Sequence, residues 1–512
     1  MSDQEQGSLG ERGLSGDPLE ELKALDREAR LLEHSGAVLS WDQEVYMPPA
    51  ALDERADQLA LLQSLAHQRD RSPRVGELLE QIRAEEAAPE GLEGIFLREK
   101  HRSYQRSCRV PDRLVRDLAR TASQGQNAWV AARAENDYER FMPWLERLIG
   151  LNRELAEHLG YRDCPYDALL DQYEPYTSTA EVAGVFRDLR EGLVPLVRRI
   201  ASRPVPDQSF LRKSFPLEGQ KQLSREVMVA LGYDLDRGRL DSSAHPFTTT
   251  LGNRDVRITT RFDERAPESG LFSTIHETGH ALYELGVAEE LAGTLLAEGT
   301  SLGIHESQSR MWENMIGRSR AFWSHWLPRM REIFPDQLEG VSLEHFYRGI
   351  NRVEPSLIRV EADEVTYSLH VILRFELEQA LISGDLPVKD LPDAWNRGMK
   401  DLLGVEPRDY SSGVLQDVHW SMGAFGYFPT YALGNLYAAQ FLRALEKDLP
   451  DLWEGVARGE YAPILDWLRR AIHRHGKCRS AGELVREITG GPLDSAVFLD
   501  YLWKKYDEDQ GR

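Results

Sequence analysis

Cysteine is scarce in this chain: Cys108, Cys164 and Cys478 are the only three among 512 residues. Odd in number and far apart, they argue against a disulfide framework and predict reduced, buried thiols. No apolar run approaches the ~20 residues of a membrane span. The opening Met1-Ser-Asp-Gln-Glu-Gln-Gly is polar and acidic, unlike a signal peptide. Positive charge is outweighed, 62 Lys and Arg against 84 Asp and Glu, for a net charge of −22. That balance disfavours nucleic acid and anionic membranes as partners and favours a soluble surface. The expectation is a cytoplasmic protein. No repeat recurs at a fixed period, and the length predicts two or three lobes around a continuous interior.

What is present is mostly helix former. Residues 1–16 are rich in Gly, Ser and Glu and are expected to be disordered. Asp17-Pro18-Leu19-Glu20 supplies a cap, a first-turn proline and an acidic third residue. Leu22, Leu25, Ala29 and Leu32 follow at helical spacing. Trp41 to Pro49 is expected to break that helix, and Leu52, Ala56, Leu59, Leu62 and Ala66 mark a second. The text changes after Pro204. Val256, Ile258, Thr260 and Phe262 alternate with Arg257, Thr259 and Arg261, which predicts a strand. It pairs through Gly252-Asn-Arg-Asp255 with His245–Leu251 as a hairpin. Leu357–Glu361 reads as a short strand, Asp363–Leu381 as a long helix, and the last eighty residues as helix again.

The chemistry concentrates in Ser273–Gly286, which holds His276-Glu277-Thr-Gly-His280 inside a helical pattern. Residues four apart on a helix lie one turn above each other, so both histidines can hold one metal ion. Glu277, turned part-way round, can take a proton from a water beside that ion. Three fixed positions arise by chance in roughly one chain of this length in sixteen, so the surroundings must decide. A catalytic site also needs a third ligand. Glu289, Glu290, Glu298, Glu306 and Glu313 all lie downstream, and spacing does not choose among them. Ala297–Ser301 reads as a turn with a cap, opening a helix from Leu302 to about Ile316. His325 and His345 are read as surface or packing residues.

Five motifs occur together: His276-Glu-Thr-Gly-His280, His305-Glu306-Ser-Gln308, Asp255-Val-Arg257-Ile-Thr259, His245-Pro-Phe247 and Gly413-Val-Leu-Gln416-Asp417-Val-His419-Trp420. The set resembles the signature of the thermostable carboxypeptidase (carboxypeptidase Taq) family of metallopeptidases. Trp41–Pro49 resembles that family's N-terminal segment, with Val45 where threonine is expected. The resemblance implies a mainly α, gluzincin-like helical clam or saddle, related to angiotensin-converting enzyme and neurolysin. It would have a deep substrate groove and a small β-sheet beside the metal-binding helix. Residues 17–512 would then form one catalytic unit. Within it, 17–200 would be the helical N-terminal part, 240–435 the metal and substrate site, and 436–512 the C-terminal helices. It further implies a homodimer, one Zn²⁺ per chain with Co²⁺ as a substitute, and broad removal of single C-terminal residues, proline disfavoured. His276, His280 and Glu306 become the metal ligands and Glu277 the general base. His245, Asp255, Arg257, Gln416 and His419 would line the groove.

A carboxypeptidase must also hold a free α-carboxylate, which a guanidinium does with two parallel hydrogen bonds. Arg359 is the first candidate and Arg257 the second, with a structural salt bridge as the competing reading of either. The oxyanion of the tetrahedral intermediate needs a donor, and Tyr431 or Tyr427 could supply it beside His419. Two other readings compete. One is an oligopeptidase or dipeptidyl carboxypeptidase using the same metal chemistry; the other is a non-catalytic helical peptide-binding protein with an inert motif.

Overall fold

The computed structural model describes residues 16–84 and 90–508, and the tail expected at 1–16 lies, Gly16 aside, outside them. The described residues are mostly helical, with one small sheet. They cluster into two compact units: the described part of Met1–Cys108 with Glu290–Ala297, and Arg109–Glu289 with Glu298–Arg512.

In the first unit, Asp17 caps the helix Pro18–Val45 by accepting the Leu19 N–H at 2.9 Å. Leu19, Leu22, Asp26 and Ala29 form its buried stripe. The helix does not break at Trp41, which is buried within it; it ends at Tyr46 and the Pro48-Pro49 pair. Nothing between Trp41 and Val45 disfavours helix, so the break waits for the prolines. The helix Leu52–Asp70 buries only Ala66. Lys100 lies buried between Asp26 (2.8 Å) and Asp70 (2.7 Å), and Asp26 also accepts the Leu295 N–H at 2.7 Å. A buried ammonium is stable only with such partners.

The second unit holds the sheet, β1 (Leu240–Ser242), β2 (Phe247–Thr250) and β3 (Val256–Thr260), in the order β1-β3-β2. The expected hairpin is β2–β3, antiparallel, with Thr248 opposite Ile258 and Thr249 opposite Arg257. β1 joins β3 in parallel; three residues are too few to show an alternation. Val256 and Ile258 pack on Ala281 and Leu285 of the helix Pro267–Leu285, which seats the sheet against that helix.

Ser301 caps the next helix, Leu302–Arg310, by accepting the Ile304 N–H at 3.0 Å. The chain continues in a π-helical stretch, Met311–Ile316. Leu357–Glu361, expected as a strand, is instead a tight turn of 3-10 helix over Arg359–Glu361. Its backbone has no neighbouring strand: the Arg359 N–H goes to the Gln416 side chain at 2.9 Å, and Ala362 N–H closes the turn on the Arg359 carbonyl. Asp363 accepts the Val365 and Thr366 N–H groups, so the following helix begins at Tyr367 and runs to Ser383. The helix Pro429–Asp448, four short α-helices, a 3-10 turn at His473–Cys478 and a π-helical end at Lys504–Glu508 complete the described residues.

Candidate active site

His276 and His280 lie on one face of the Pro267–Leu285 helix, and the Leu302–Arg310 helix lies alongside it. Gly279 is what allows the approach. A Cβ there would stand 2.7 Å from the Gln308 carbonyl oxygen and 2.7 Å from the Ser309 Cα, closer than atoms pack. Gly434 does the same on the far side, where a Cβ would lie 2.5 Å from the Cγ of Glu306. Glu306 is thereby delivered to the histidines. Its Oε2 is 3.6 Å from His276 Nε2 and 3.4 Å from His280 Nε2, and the three donor atoms fall within 4.8 Å of one another. Ligand atoms around a tetrahedral zinc stand roughly 3.3–3.6 Å apart. The set fits a divalent metal.

The other atoms of these side chains are occupied in the way a metal site requires. Glu313, on the π-helical stretch, has Oε2 at 2.9 Å from His276 Nδ1. His305 Nδ1 is 2.6 Å from His280 Nδ1, and its own Nε2 is 2.7 Å from Glu284 Oε1. Both histidines thus keep Nε2 toward Glu306. Arg310 donates to Glu306 Oε1 at 2.7 Å, while Oε2, the oxygen facing the histidines, accepts from Ser309 Oγ at 3.1 Å.

Burial holds His280 down to about 3, so its ring is neutral, as a ligand must be. Burial also works against charge on His276, but the Glu306 and Glu313 carboxylates outweigh it and raise that pKa. For Glu306 burial is again outweighed, by Arg310 and the two histidines, and the carboxyl sits well below its ordinary range. Glu277 is different. Desolvation dominates and raises its pKa, although Thr248 donates to its Oε2 at 2.7 Å.

Of the five glutamates that sequence left open, Glu306 is the one grouped with both histidines. Glu313 stands behind His276, Glu289 pairs with Arg254, and Glu298 with Lys477. Sequence reasoning missed the roles of Thr248, Glu284, His305 and Glu313. Glu284 follows His280 by four residues, so its place on the same helix face was a usable signal.

A second cluster gathers the aromatic and basic candidates. His419 Nε2 lies 3.3 Å from the Tyr431 hydroxyl, and the His419 and Tyr427 rings are 5.3 Å apart. Burial raises the pKa of both tyrosines, and neighbouring tyrosine and Glu306 charges add to it. Burial and the Arg359 charge hold His419 down to about 4. The Arg359 guanidinium lies 4.9 Å from the Tyr431 ring and is 4% exposed. It donates through Nε and Nη2 to Asp417 (3.0 and 2.9 Å) and through Nη1 to Tyr367 (2.9 Å). Gln416 Oε1 accepts from Arg359 N–H and from Arg374 Nη2, while its Nε2 donates to backbone carbonyls of Leu357, Ser412 and Gly413. Arg257 makes two bonds to Asp255 (2.9 and 2.7 Å) on β3. Its register with Thr249 sets it on the sheet face opposite to Thr248. His245 is exposed, and its carbonyl accepts from Ser243 Oγ at 2.5 Å.

Two histidines and a glutamate around one point, with a desolvated carboxylate on the adjoining helix position, have the chemistry that an HExxH metallopeptidase centre requires. Comparison with known proteins narrows this. The sequence profile of the carboxypeptidase Taq (M32) metallopeptidase family matches residues 21–506, and the chain belongs to that family. It is 46% identical over 497 residues to thermostable carboxypeptidase 1 of Thermus thermophilus, covering 95% of this chain and 97% of the relative. Carboxypeptidase 1 of Bacillus subtilis is 40% identical over 491 residues, covering 95% and 98%. The crystal structure of the M32 carboxypeptidase from Deinococcus radiodurans R1 superposes with a TM-score of 0.95 at 39% identity, covering 97% of this chain and all of that one. The protein is a metallocarboxypeptidase, a hydrolase of peptide bonds.

Proposed function

We propose that this enzyme removes single residues from the free C-terminus of peptides with a Zn²⁺ ion held by His276, His280 and Glu306. The observation that carries the reading is the grouping of those three donors with Glu277 at the next helix position. An N, N, O donor set suits zinc, and cobalt accepts the same ligands. Bound there, the ion supplies Lewis acidity and acidifies nearby water.

The chain's own groups do the rest. Glu277, ionised, takes a proton from the attacking water and returns it to the departing amine. Desolvation makes it a stronger base than an exposed glutamate. Tyr431, with Tyr427 and His419 beside it, donates to the oxyanion as the carbonyl becomes tetrahedral. Arg359 is the proposed carboxylate holder: three of its five N–H groups go to Asp417 and Tyr367, and its guanidinium lies 4.9 Å from the ring of Tyr431, the proposed oxyanion donor. Arg257, on the other face of the sheet, and Gln416, bonded to the Arg359 backbone, are proposed to shape the groove, with His245 at its rim. The family likeness supports broad specificity with poor cleavage beside proline.

The same likeness supports a homodimer. The Leu52–Asp70 helix leaves Leu61 and Leu65, one turn apart on one face, exposed, and a second copy would cover them. Three free cysteines suit a reducing cytoplasm. Light scattering tests the dimer.

Mass spectrometry of a peptide after timed incubation tests the activity. A ladder shortened one residue at a time from the C-terminus, lost on amidation and on chelation, is the expected result. Release of dipeptides, or equal turnover of the amidated peptide, would replace this reading with an oligopeptidase; no cleavage would leave only peptide binding.

A further inference from the structure

The third metal ligand sits on a helix of nine residues, Leu302–Arg310, with a start that is built almost entirely from other parts of the chain. Leu302 N–H donates to the Tyr173 carbonyl at 3.0 Å, and Gly303 N–H to Glu174 Oε2 at 3.0 Å. Ile304 N–H is taken by Ser301 Oγ, whose own hydroxyl donates to Glu174 Oε1 at 3.1 Å. Tyr437, on the Pro429–Asp448 helix, donates to that same oxygen at 2.9 Å. Glu174 is fully buried, yet every contact made by its carboxylate is a hydrogen bond to this junction.

The spacing of these contacts is informative. Gly303 and Glu306 are three apart on one helix; Gly434 and Tyr437 are three apart on the other, so each pair shares a face. A Cβ on Gly303 would stand 2.9 Å from Tyr437 Cε2 and 2.6 Å from Glu174 Oε2, while a Cβ on Gly434 would meet Glu306. The two helices therefore run antiparallel in a fixed register, Gly303 against Tyr437 and Glu306 against Gly434. A slip along the axis would pull Glu306 away from the histidines. Among the described residues, the Glu174 carboxylate is the polar group that bonds to both helices at that register.

We infer that Glu174 is a positioning residue for the metal centre, fixing the register at which Glu306 meets His276 and His280. The inference rests on the reading of Glu306 as a ligand. A hydrocarbon of similar volume would fill the same space with no desolvation to offset. It would not fasten a helix N-terminus to a neighbouring hydroxyl.

The test is a Zn²⁺ titration of metal-free protein against a chromophoric chelator, with the visible spectrum of the Co²⁺-loaded protein as a second readout. Glu174→Gln replaces an acceptor by an NH₂ group facing donors and should weaken Zn²⁺ binding about tenfold, a loss of the size caused by removing outer partners of metal ligands. It should also alter the Co²⁺ bands. Tyr437→Phe removes one hydroxyl and should act in the same direction less strongly; it carries the test if Glu174→Gln does not fold. Glu378→Gln is the control. Glu378 is equally buried and accepts from Tyr166, Trp420 and Gly426, away from the Leu302–Arg310 helix. Its loss should leave Zn²⁺ affinity within about twofold.

Wild-type affinity and Co²⁺ spectra in the Glu174 and Tyr437 variants, with Glu306→Ala unable to bind metal, would overturn the positioning role and leave the ligand assignment standing. An equal loss in Glu378→Gln would overturn it too, by showing general loosening. Retention of metal by Glu306→Ala would bring down both.

Discussion

The Thr248 hydroxyl lies 2.7 Å from Glu277 Oε2 and 3.1 Å from the Glu277 backbone carbonyl. A strand of the small sheet thus holds the Glu277 carboxylate, the proposed general base, in place and stabilises its charge. Desolvation raises the Glu277 pKa and this hydrogen bond lowers it. A general base works only when ionised, so activity is present above its pKa and lost as pH falls through it. Thr248→Val keeps the shape and removes the donor. The acid limb of kcat/KM should move up by about one pH unit, ~1.4 kcal/mol of lost anion stabilisation. An unmoved limb would show that Glu277 does not set it.

Glu306 and Glu313 should separate as ligand and partner. Glu306→Ala removes a donor from the group of three and should abolish stoichiometric metal binding. Glu313→Gln leaves that group intact but takes a carboxylate from His276 Nδ1, and should weaken binding by about 10–100-fold. Glu289→Gln, remote and exposed beside Arg254, should do nothing. Atomic absorption on dialysed protein reads all three. A Glu306→Ala protein with a full complement of metal would remove it from the ligand set.

Gly279→Ala tests the helix contact. Its methyl group would meet backbone atoms of Gln308 and Ser309 at 2.7 Å, and backbone cannot turn aside as a side chain can. The expected cost is at least about 1–3 kcal/mol, the usual range for overpacking. Calorimetry should show a lower unfolding temperature, and metal affinity should fall with it because the two ligand-bearing helices are pushed apart. An unchanged unfolding temperature would mean that the helices do not pack this closely.

Legibility in the sequence followed the range of the forces involved. The metal helix and its paired histidines depend on neighbours four residues apart, and the Asp17 and Ser301 caps on two or three, so pattern alone reached them. The β2–β3 hairpin was legible through alternation across a short connection. Arg359 was not, because its N–H is taken by Gln416, 57 positions away, in place of a strand neighbour. The break expected over Trp41–Pro49 falls at its proline end, because tryptophan and the following polar residues carry no helix-ending signal; the prolines do. Glu313 reaches His276 across 37 positions only through the wider π-helical turn, which no periodicity announces. The third ligand lay between these cases: five glutamates had suitable chemistry, and family likeness chose where spacing did not.

Glu277→Gln divides chemistry from structure most cleanly. Glu277 directly follows a proposed ligand, yet among the described residues its side chain is outside the three-donor group and bonds instead to Thr248. Glutamine has the same shape and can still accept the Thr248 hydroxyl through its oxygen, but it takes no proton at neutral pH. Metal content and unfolding temperature should therefore stay near wild type. Turnover should fall by at least roughly 10²–10⁴, the usual worth of positioned general-base catalysis. The loss should lie in kcat with KM little changed, since substrate contacts remain. Metal analysis and steady-state kinetics on one preparation give both numbers. If the variant loses its metal, Glu277 is a ligand and the geometry argued from Thr248 is wrong. If it keeps metal and near-normal kcat, proton transfer belongs to another group, and His419 with Tyr431, 3.3 Å apart, would be the first pair to test.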